Sequence, residues 1–354
     1  MPTTSSAKPS PEVASWLHAV VVTNIYPTPA TPTAGTFIAD HVSSVRAAGV
    51  RVDVLHVPRG AGGRRAYWGL ADRVSRLVTS TEPDLVHVMY GGVMADIVTR
   101  TVRDVPVLVS FYGTDLLGGK GRGLVHGASR RYGVIASRRA AARAAGIIVK
   151  SRNLFDALPP RIDRSQVWIV PDGVDLERFR PLDKGRCRAE LGWNQERRHV
   201  LFPASPERPE KRFELAQAGV RMLRADGVDV DLHVLAGVPP DKVPTWLNAS
   251  HVLLLTSAHE GSPNVVKEAL ACNVPVVSVD VGDVRERIDG IDGCSLADPI
   301  PQDIAAKVGR ALKRENPIDA RDGMADLALE RVAAGVCEIY ATLAGRPPRS
   351  DGGA

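Results

Sequence analysis

Residues 253–280 read LLLTSAHEGSPNVVKEALACNVPVVSVD, and this stretch decides the fold. An apolar run ends at Thr256, a polar loop follows, and a second apolar run rich in valine closes the stretch. Between the two runs, Ser262 and Pro263 predict the start of a helix over about 263–272, with serine as the N-cap and proline in the first turn. A strand, a helix and a second strand in this order predict neighbouring parallel strands in one sheet.

The same alternation extends over most of the 354 residues and falls into two series. The segment PDGVDLERFRP at 171–181 interrupts it, because Asp-Gly favours a turn and the flanking prolines prevent regular structure. We therefore predict an α/β protein of two Rossmann-like, doubly wound parallel sheets that face each other across a cleft. The predicted strands are Ala19–Thr23, Val52–His56, Leu85–Val88, Val107–Phe111, Ile147–Val149, Val167–Val170, Val200–Phe202, Leu232–Leu235, Val252–Leu255 and Val274–Val279. Further helices are predicted at about 36–48, 210–225, 301–314 and 322–344.

Composition is that of an ordinary globular protein, with 44% hydrophobic and 24% charged residues. The net charge of +5 suits an anionic partner such as a phosphate-bearing substrate or a membrane surface. Aromatic residues make up only 5%, and the absence of a stacking motif disfavours nucleic acid as a partner. The four cysteines lack CxxC spacing and predict neither a zinc site nor disulfides. Without a signal-peptide pattern or a membrane-spanning run, a cytoplasmic location is expected.

The predicted helix start is also a predicted anion site. Backbone amides between Gly261 and Val266 should point out of the helix, where the helix dipole favours negative charge. Glu260 lies just before this point and Glu268 about two turns into the helix, so that both carboxylates can reach one ligand. Because carboxylates accept hydrogen bonds from hydroxyls, the pattern predicts a ligand with hydroxyls and phosphate. The alternative is a solvated loop glutamate and a surface glutamate on a helix.

The whole string resembles the donor-site signature of the retaining GT-B glycosyltransferases of family four, also described as glycosyl transferases group 1. The matching elements are Glu260, seven intervening residues, Glu268 followed by alanine, Val-Pro-Val-Val, and the acidic Glu286. The resemblance covers most of the chain. Its other segments are NIYPTPATPTAG at 24–35, SFYGTDL at 110–116, VWIVPDGVDLERFRPL at 167–182 and VLFPASPERPEKRFELA at 200–216.

The resemblance implies a GT-B fold with a defined division of the chain. The implied parts are an acceptor-side domain at 16–178, a nucleotide-sugar-binding domain at 179–325 and a helix at 326–345 that crosses back to the N-terminal domain. The flanking segments 1–15 and 346–354 are rich in Pro, Ser, Gly and Thr, and this composition predicts disordered tails. The implied partners are a nucleotide-sugar donor and a glycan or lipid-linked acceptor.

The resemblance also implies roles for the residues of the C-terminal half. Glu260 would contact the donor sugar and Glu268 the ribose, and the helix start would bind sugar and diphosphate. In the family, an arginine and a lysine clamp the diphosphate. Lys211 matches the lysine, and Ser205 stands at the position of the arginine. We expect Arg208 to substitute for that arginine, since the leaving diphosphate gains negative charge. The helix-start residues are Gly261, Ser262, Pro263, Asn264 and Val265.

Four positions of the N-terminal half enter the implied site. Gly35 and Thr36 would let backbone approach the phosphates or the sugar, although Gly35 also fits a plain turn before a helix. Tyr112 stands where relatives carry histidine near the donor sugar; a phenol can hydrogen-bond the sugar but is a poor proton shuttle near neutral pH. Asp115 is either a contact that orients the loop or acceptor, or the N-cap of the next helix.

The implied reaction is sugar transfer with retention at the anomeric carbon. The acceptor hydroxyl would attack from the leaving-group face and pass its proton to the diphosphate. Because Lys211, Arg208 and helix amides neutralise the diphosphate, neither a metal nor another cofactor is expected. Asp229-Val230-Asp231 is expected to be a turn before a strand. Only a short segment follows residues 235–238, so base recognition would rest on Ala236–Pro239 and the donor nucleotide stays open.

The segment 120–146, KGRGLVHGASRRYGVIASRRAAARAAG, is strongly basic, with arginines near helical spacing. Such a helix with interleaved apolar residues predicts peripheral binding to an anionic membrane, or a solvated surface helix. Two other functions compete with transfer: an inactive nucleotide-sugar-binding subunit, favoured by Tyr112 and Ser205, and a sugar-nucleotide epimerase. A dinucleotide oxidoreductase is disfavoured because neither first strand is followed by GxGxxG.

Overall fold

The computed structural model describes residues 17–58, 63–118, 124–314 and 316–346. The predicted tails at 1–15 and 346–354 lie outside these ranges, except for Arg346. The N-terminal sheet is parallel throughout, with strand order β2-β1-β3-β4-β5-β6. Its strands are β1 (His18–Thr23), β2 (Arg51–His56), β3 (Leu85–Met89), β4 (Val107–Phe111), β5 (Gly146–Val149) and β6 (Val167–Ile169). Its helices are α1 (Thr36–Ala47), α2 (Leu70–Thr81), α3 (Val93–Thr101), α4 (Thr114–Leu117), α5 (Leu124–Ala141) and α6 (Arg152–Ala157).

The C-terminal sheet is also parallel, with strand order β11-β10-β9-β7-β8. Its strands are β7 (Arg198–Phe202), β8 (Val230–Val234), β9 (Val252–Leu255), β10 (Val276–Val279) and β11 (Ser295–Ala297). The helices that follow the linker are α7 (Lys184–Leu191), α8 (Phe213–Ala225), α9 (Val243–Ala249), α10 (Asn264–Ala271), α11 (Val284–Ile288), α12 (Pro301–Leu312) and α13 (Leu329–Leu343). The prediction of two doubly wound parallel-sheet domains is confirmed.

The ends of several predicted elements are corrected. The helix predicted to begin near residue 210 begins instead at Phe213, as α8, and a 3₁₀ turn at Pro209–Lys211 precedes it. The break lies at Arg212, whose left-handed backbone conformation, with φ of 52°, does not fit an α-helix. A 3₁₀ segment at Asp322–Leu327 likewise precedes α13. Asp231 lies within β8 rather than in a turn. Strand β11, which was not predicted, has three residues and, among the described strands, pairs with β10 alone.

The capping prediction for α10 is wrong in its detail. Pro263, rather than Ser262, precedes the helix, and no side chain caps it. The Ser262 hydroxyl instead donates to Asp283 Oδ2 at 2.8 Å and accepts from Lys267 Nζ at 3.2 Å. Because the Ser262 hydroxyl bonds to these two groups, it does not cap the helix, and the first backbone N–H groups of α10 have no side-chain acceptor. This arrangement favours the binding of an external anion.

The last helix packs on the N-terminal domain. Its Val336, Ile339 and Tyr340 are buried together with residues of β1 and α1. The Tyr340 hydroxyl lies 2.7 Å from His87 Nδ1 on β3, so that a chain segment from the C-terminal end completes the first core. The exact domain boundaries stay predictions. Within the described ranges, no helix has both the length and the apolar character that a membrane span requires.

Candidate active site

Two adjoining cavities open between the two sheets, at the carboxyl ends of their strands. The first is lined from the N-terminal half by Phe37, Tyr90 and Tyr112, and from the C-terminal half by Lys211, Glu260 and residues 262–265. The second is lined by Thr36 and Asp40, by Arg178 of the linker, and by Arg208 and Glu268. Phe37, Pro203, Asn264 and Val265 line both cavities, which therefore form one continuous cleft.

Gly261 marks the point where the two halves meet. A Cβ atom on this residue would lie 2.2 Å from the Tyr112 carbonyl oxygen, far inside contact distance. Gly282 also approaches this residue closely, and a Cβ on Gly282 would lie 2.4 Å from the Gly261 carbonyl oxygen. In addition, Asn153 Nδ2 donates across the interface to the Glu260 carbonyl at 3.3 Å. Only glycine at 261 allows this close approach of the donor-side loop to Tyr112.

Lys211 and Glu260 form an ion pair in the first cavity, between Nζ and Oε1. Their side chains are 15% and 16% exposed, so the pair is largely screened from solvent yet open to the cleft. Arg208 lies elsewhere. Its side chain is 55% exposed, its guanidinium pairs with Glu210 at 2.9 Å, and the residue borders the second cavity. The Ser205 hydroxyl accepts a hydrogen bond from the backbone N–H of Glu207 at 3.3 Å. Ser205 lines neither cavity.

Glu268 lies in the second cavity, where its carboxyl group is surrounded by protein. Burial raises the pKa of Glu268 to about 7; Arg178 opposes this effect and Asp40 adds to it. Arg178 has a buried Nε atom without a hydrogen-bond partner among the described residues, although its Nη2 donates to the Pro240 carbonyl. A carboxyl group and an arginine with an unused donor therefore face the same space. Another part of the wall of the second cavity lies near the segment Ala236–Pro239 that is predicted to contact the base. This part contains Leu235, Gly237, Val238 and Pro240.

Tyr112 forms part of the wall of the first cavity. Its ring stacks on Tyr90 with centroids 4.8 Å apart, and the Lys150 ammonium lies 4.7 Å from its centroid. The hydroxyl is buried and lacks a hydrogen-bond partner within the described residues. Burial, followed by the charge of Asp172, raises the pKa of Tyr112 well above its ordinary value of 10.0. The phenol therefore stays protonated near neutral pH and cannot act as a general base.

Asp115 orients the loop after β4. Its carboxylate accepts the backbone N–H groups of Tyr112 at 3.1 Å, Gly113 at 2.8 Å and Gly91 at 2.9 Å. These bonds fix the turn that holds Tyr112 against Gly261, and Gly113 rather than Asp115 precedes α4. Gly35 has a similar local reason: its φ is 71°, and a Cβ would lie 2.8 Å from the Ile25 backbone. Thr36 lines the second cavity, whereas Gly35 does not line it.

Sequence reasoning missed a buried charged group at the floor of the cleft. Lys150 Nζ, at the end of β5, lies 2.8 Å from Asp172 Oδ1 of the linker. Lys267 Nζ, on α10, donates to the Asp172 carbonyl at 2.7 Å. Burial alone would raise the pKa of Asp172, but the two lysines outweigh it and lower that pKa. One linker residue is thus held from both domains, and it also lines the first cavity.

Potential metal ligands gather away from the cleft. Within the described ranges, three such side chains come together only at His199, Asp231 and His233, on the C-terminal sheet. None of the three residues lines either cavity. In the cleft itself, positive charge comes from Lys211 in the first cavity, from Arg178 and Arg208 in the second, and from the amides at the start of α10.

Comparisons with known proteins agree with this geometry. Residues 14–178 match the family model described as Glycosyltransferase Family 4, and residues 189–314 match the model described as Glycosyl transferases group 1. A D-inositol 3-phosphate glycosyltransferase of Frankia alni is 26% identical over 196 residues, which cover 46% of this chain and 47% of that protein. A D-inositol 3-phosphate glycosyltransferase of Streptosporangium roseum is 25% identical over 216 residues, covering 51% of this chain and 48% of that protein.

The chain thus spans about half the length of the curated relatives it matches. Among solved structures, sucrose-phosphate synthase of Thermosynechococcus elongatus aligns with a TM-score of 0.70, over 92% of this chain and 99% of that chain, at 15% identity. This likeness supports the fold and confirms the GT-B prediction. The two family models together span most of the chain, and the chain therefore belongs to the glycosyltransferases that the family-four and group 1 models describe.

Proposed function

We propose that this protein is a retaining glycosyltransferase that moves a sugar from a nucleoside-diphosphate donor to a glycan or lipid-linked acceptor. The observation that carries the proposal is the Lys211–Glu260 pair in the cleft, beside the uncapped start of α10. A cation, a carboxylate and free amides at one place match a ligand with a phosphate next to a sugar. Both halves of the chain line this place, as a reaction between two substrates requires.

The donor would extend through both cavities. Its ribose would lie in the second cavity, where Glu268 would accept hydrogen bonds from the hydroxyls. Arg178 Nε, which has no hydrogen-bond partner among the described residues, would supply a donor. The diphosphate would lie at the start of α10, near Lys211, and the sugar would enter the first cavity. There Glu260 accepts hydrogen bonds from sugar hydroxyls, and the buried Oδ1 of Asn264 is a further acceptor without a partner among the described residues.

Lys211 would stabilise the departing diphosphate, which gains negative charge as the glycosidic bond breaks. The acceptor hydroxyl would attack the anomeric carbon from the same face, and its proton would pass to the diphosphate. This route needs no general base, which suits a Tyr112 that stays protonated. It also needs no divalent ion, because Lys211 and helix amides supply positive charge; metal independence is part of the proposal.

The proposal is tested by incubating the protein with labelled UDP-, GDP- and dTDP-sugars, alone and with candidate acceptors. We expect one donor to be hydrolysed slowly and transferred when its acceptor is present, with the anomeric configuration retained in the product. Tight donor binding without hydrolysis or transfer would favour an inactive binding subunit instead. Conversion of the donor into an epimer would favour the epimerase, a function that the protonated Tyr112 does not support.

We further propose that the acceptor reaches the cleft from an anionic membrane. Arg131, Ile135 and Arg139 follow one another at intervals of four on the exposed side of α5, and Tyr132 lies beside them. The Tyr132 and Ile135 side chains are 43% and 46% exposed. Basic and apolar groups on one helix face suit an interfacial position. Residues 119–123 and the side chains of 124–130, which belong to the predicted basic segment, lie outside the described residues.

Replacing Arg131 and Arg139 together with glutamine is expected to weaken binding to vesicles with anionic lipid by roughly 30-fold, at about 1 kcal/mol for each arginine. Vesicle co-sedimentation measures this effect. The matched control is Arg186→Gln with Arg221→Gln, two exposed arginines of the C-terminal domain. Equal binding by both double variants, or no binding of the wild type at low salt, would remove the membrane proposal.

Gly261→Ala is expected to reduce kcat/KM by about 100-fold, since a displacement of an ångström between reacting groups can cost that much. The new Cβ would collide with the Tyr112 carbonyl oxygen and push the two halves of the cleft apart. Gly335→Ala is the control, because a Cβ there has open space on α13. Steady-state kinetics with circular dichroism separate the two variants; a Gly261→Ala enzyme as active as the control would contradict the close approach.

A further inference from the structure

A cluster of polar side chains lies on one face of the C-terminal sheet, outside the cleft. His199 on β7 is directly opposite Asp231 on β8 in the parallel register, and His233 follows two residues later on β8. Side chains at this spacing share a face of the sheet. One nitrogen of each histidine and one carboxylate oxygen of Asp231 all lie within 4.8 Å of one another. His199, which lies 32 positions before Asp231 in the sequence, thus joins Asp231 and His233 in a compact ligand set.

The tautomer of His199 suits a metal ligand. Its Nε2 lies 2.8 Å from the carbonyl oxygen of Asn194, which can only accept, so Nε2 carries the proton. The Nδ1 atom therefore presents a lone pair, and it lies 2.9 Å from His233 Nε2. A ligating histidine usually donates its second ring nitrogen to a carbonyl or carboxylate in this way. The Asn194 carbonyl would orient the His199 ring before any ion arrives.

The second histidine is held in place by aromatic packing. The His233 ring stacks on Trp193 with centroids 3.5 Å apart and an angle of 6° between the planes, and Trp246 packs edge-on against Trp193. This packing fixes the plane of the His233 ring before any ion arrives.

We propose that His199 Nδ1, His233 Nε2 and the Asp231 carboxylate bind a divalent transition-metal ion such as Zn²⁺, with water as the fourth ligand. Zn–N bonds of about 2.0–2.1 Å place two tetrahedral ligands about 3.4 Å apart, so the two nitrogens need to separate by only about 0.5 Å. His233 moves its proton from Nε2 to Nδ1 by exchange with solvent. Asp231 leaves its contact with Arg197, now 2.9 Å, for the ion.

The site would fasten the edge strand β8 to β7. Among the described strands, β8 pairs with β7 alone, and two of the three ligands lie on β8. The bound ion would therefore stabilise the C-terminal domain without contributing to transfer, because none of its ligands lines either cavity. The failure of this proposal would leave the proposed transferase activity untouched, and the reverse also holds.

Calorimetric titration of the chelator-treated full chain with Zn²⁺ tests the site. We expect saturable binding of one equivalent and a rise of the unfolding temperature with Zn²⁺. Asp231→Asn and His233→Gln should each weaken binding by about 10- to 100-fold or more, as even second-shell changes reach that range. The matched control is Asp229→Asn, which loses an ion pair with the same Arg197 but removes no ligand.

Three results would overturn the site. The first is the absence of saturable Zn²⁺ binding to the wild type. The second is an affinity that Asp231→Asn and Asp229→Asn reduce equally, since Arg197 rather than the ion would then explain the effect. The third is unchanged binding in a His233→Gln variant whose circular dichroism matches the wild type. Since Asp231 is partly exposed, its asparagine variant is expected to fold even if His233→Gln does not.

Discussion

Replacing Lys211 with alanine is expected to lower kcat by about 10²- to 10³-fold, the range seen when one fixed group that stabilises transition-state charge is removed. Lys211 is the cation in the first cavity that reaches Glu260, and the departing diphosphate would develop its charge nearby. Because this interaction strengthens as the bond breaks, kcat should fall more than donor binding. We expect Arg208 not to replace Lys211, because Arg208 pairs with Glu210 and borders the second cavity.

The loop around Lys211 is held by contacts that do not involve its side chain. Thr256 Oγ1 donates to the carbonyls of Lys211 and Arg212, at 2.9 and 3.0 Å. Arg212 returns two bonds to the carbonyls of Thr256 and Ser257, at 2.6 and 2.9 Å. Since these contacts survive the substitution, Lys211→Ala removes the charge and leaves the loop in position. The loss of activity would therefore report on the ammonium group itself.

Steady-state kinetics with the donor found in the sugar-nucleotide panel provide the measurement. Lys242→Ala is the matched control, because Lys242 forms a comparable pair with Glu190 on the surface, where both side chains are about half exposed. The control should keep wild-type kcat. A Lys211→Ala protein with kcat within a few-fold of the control would show that diphosphate departure does not depend on this cation.

The fold was accessible from the sequence because its signals are local. Apolar runs such as Val107–Phe111 and Val252–Leu255 become fully buried strands, and the segments between them become helices on the two faces. The exceptions carry weaker signals. Strand β11 has only three residues and one partner, and the segment before α13 forms a 3₁₀ turn instead of helix. Short elements of this kind depend on tertiary neighbours, which a sequence window does not contain.

The residues of the donor half of the site could be predicted from the sequence better than the residues of its other parts. Glu260 and Lys211 lie 49 positions apart, and only the resemblance to a family brought them together before the structure did. The ion pair between Lys150 and Asp172 joins the end of β5 to the linker. The sequence around neither residue contains a pattern that predicts this contact. The His199 and His233 pair likewise depends on strand register. Sequence spacing detects ligands within one element, but not those that two strands bring together.

Glu268 should contribute to donor binding while it lowers stability. Burial raises the pKa of Glu268 from the ordinary value of 4.5 to about 7, against the opposing charge of Arg178. Between these two values the folded state binds more protons than the unfolded chain, so the stability of the folded state falls as pH rises through this window. Glutamine does not ionise. We therefore expect Glu268→Gln to be more stable than the wild type at pH 8, with the difference vanishing near pH 4.

The same substitution should lower activity. A gain in stability together with a loss of activity indicates that the Glu268 carboxylate serves ligand binding. Loss of a hydrogen bond to a charged group costs about 1.5–3 kcal/mol, so kcat/KM for the donor should fall by roughly 10- to 100-fold above pH 8. The wild-type value should itself fall as pH drops through about 7, because kcat/KM reports the ionisation of the free enzyme. Glu268→Gln should lack this pH dependence, and the exposed Glu190→Gln control should retain it. A stabilised Glu268→Gln enzyme with wild-type kcat/KM would place the ribose elsewhere in the cleft.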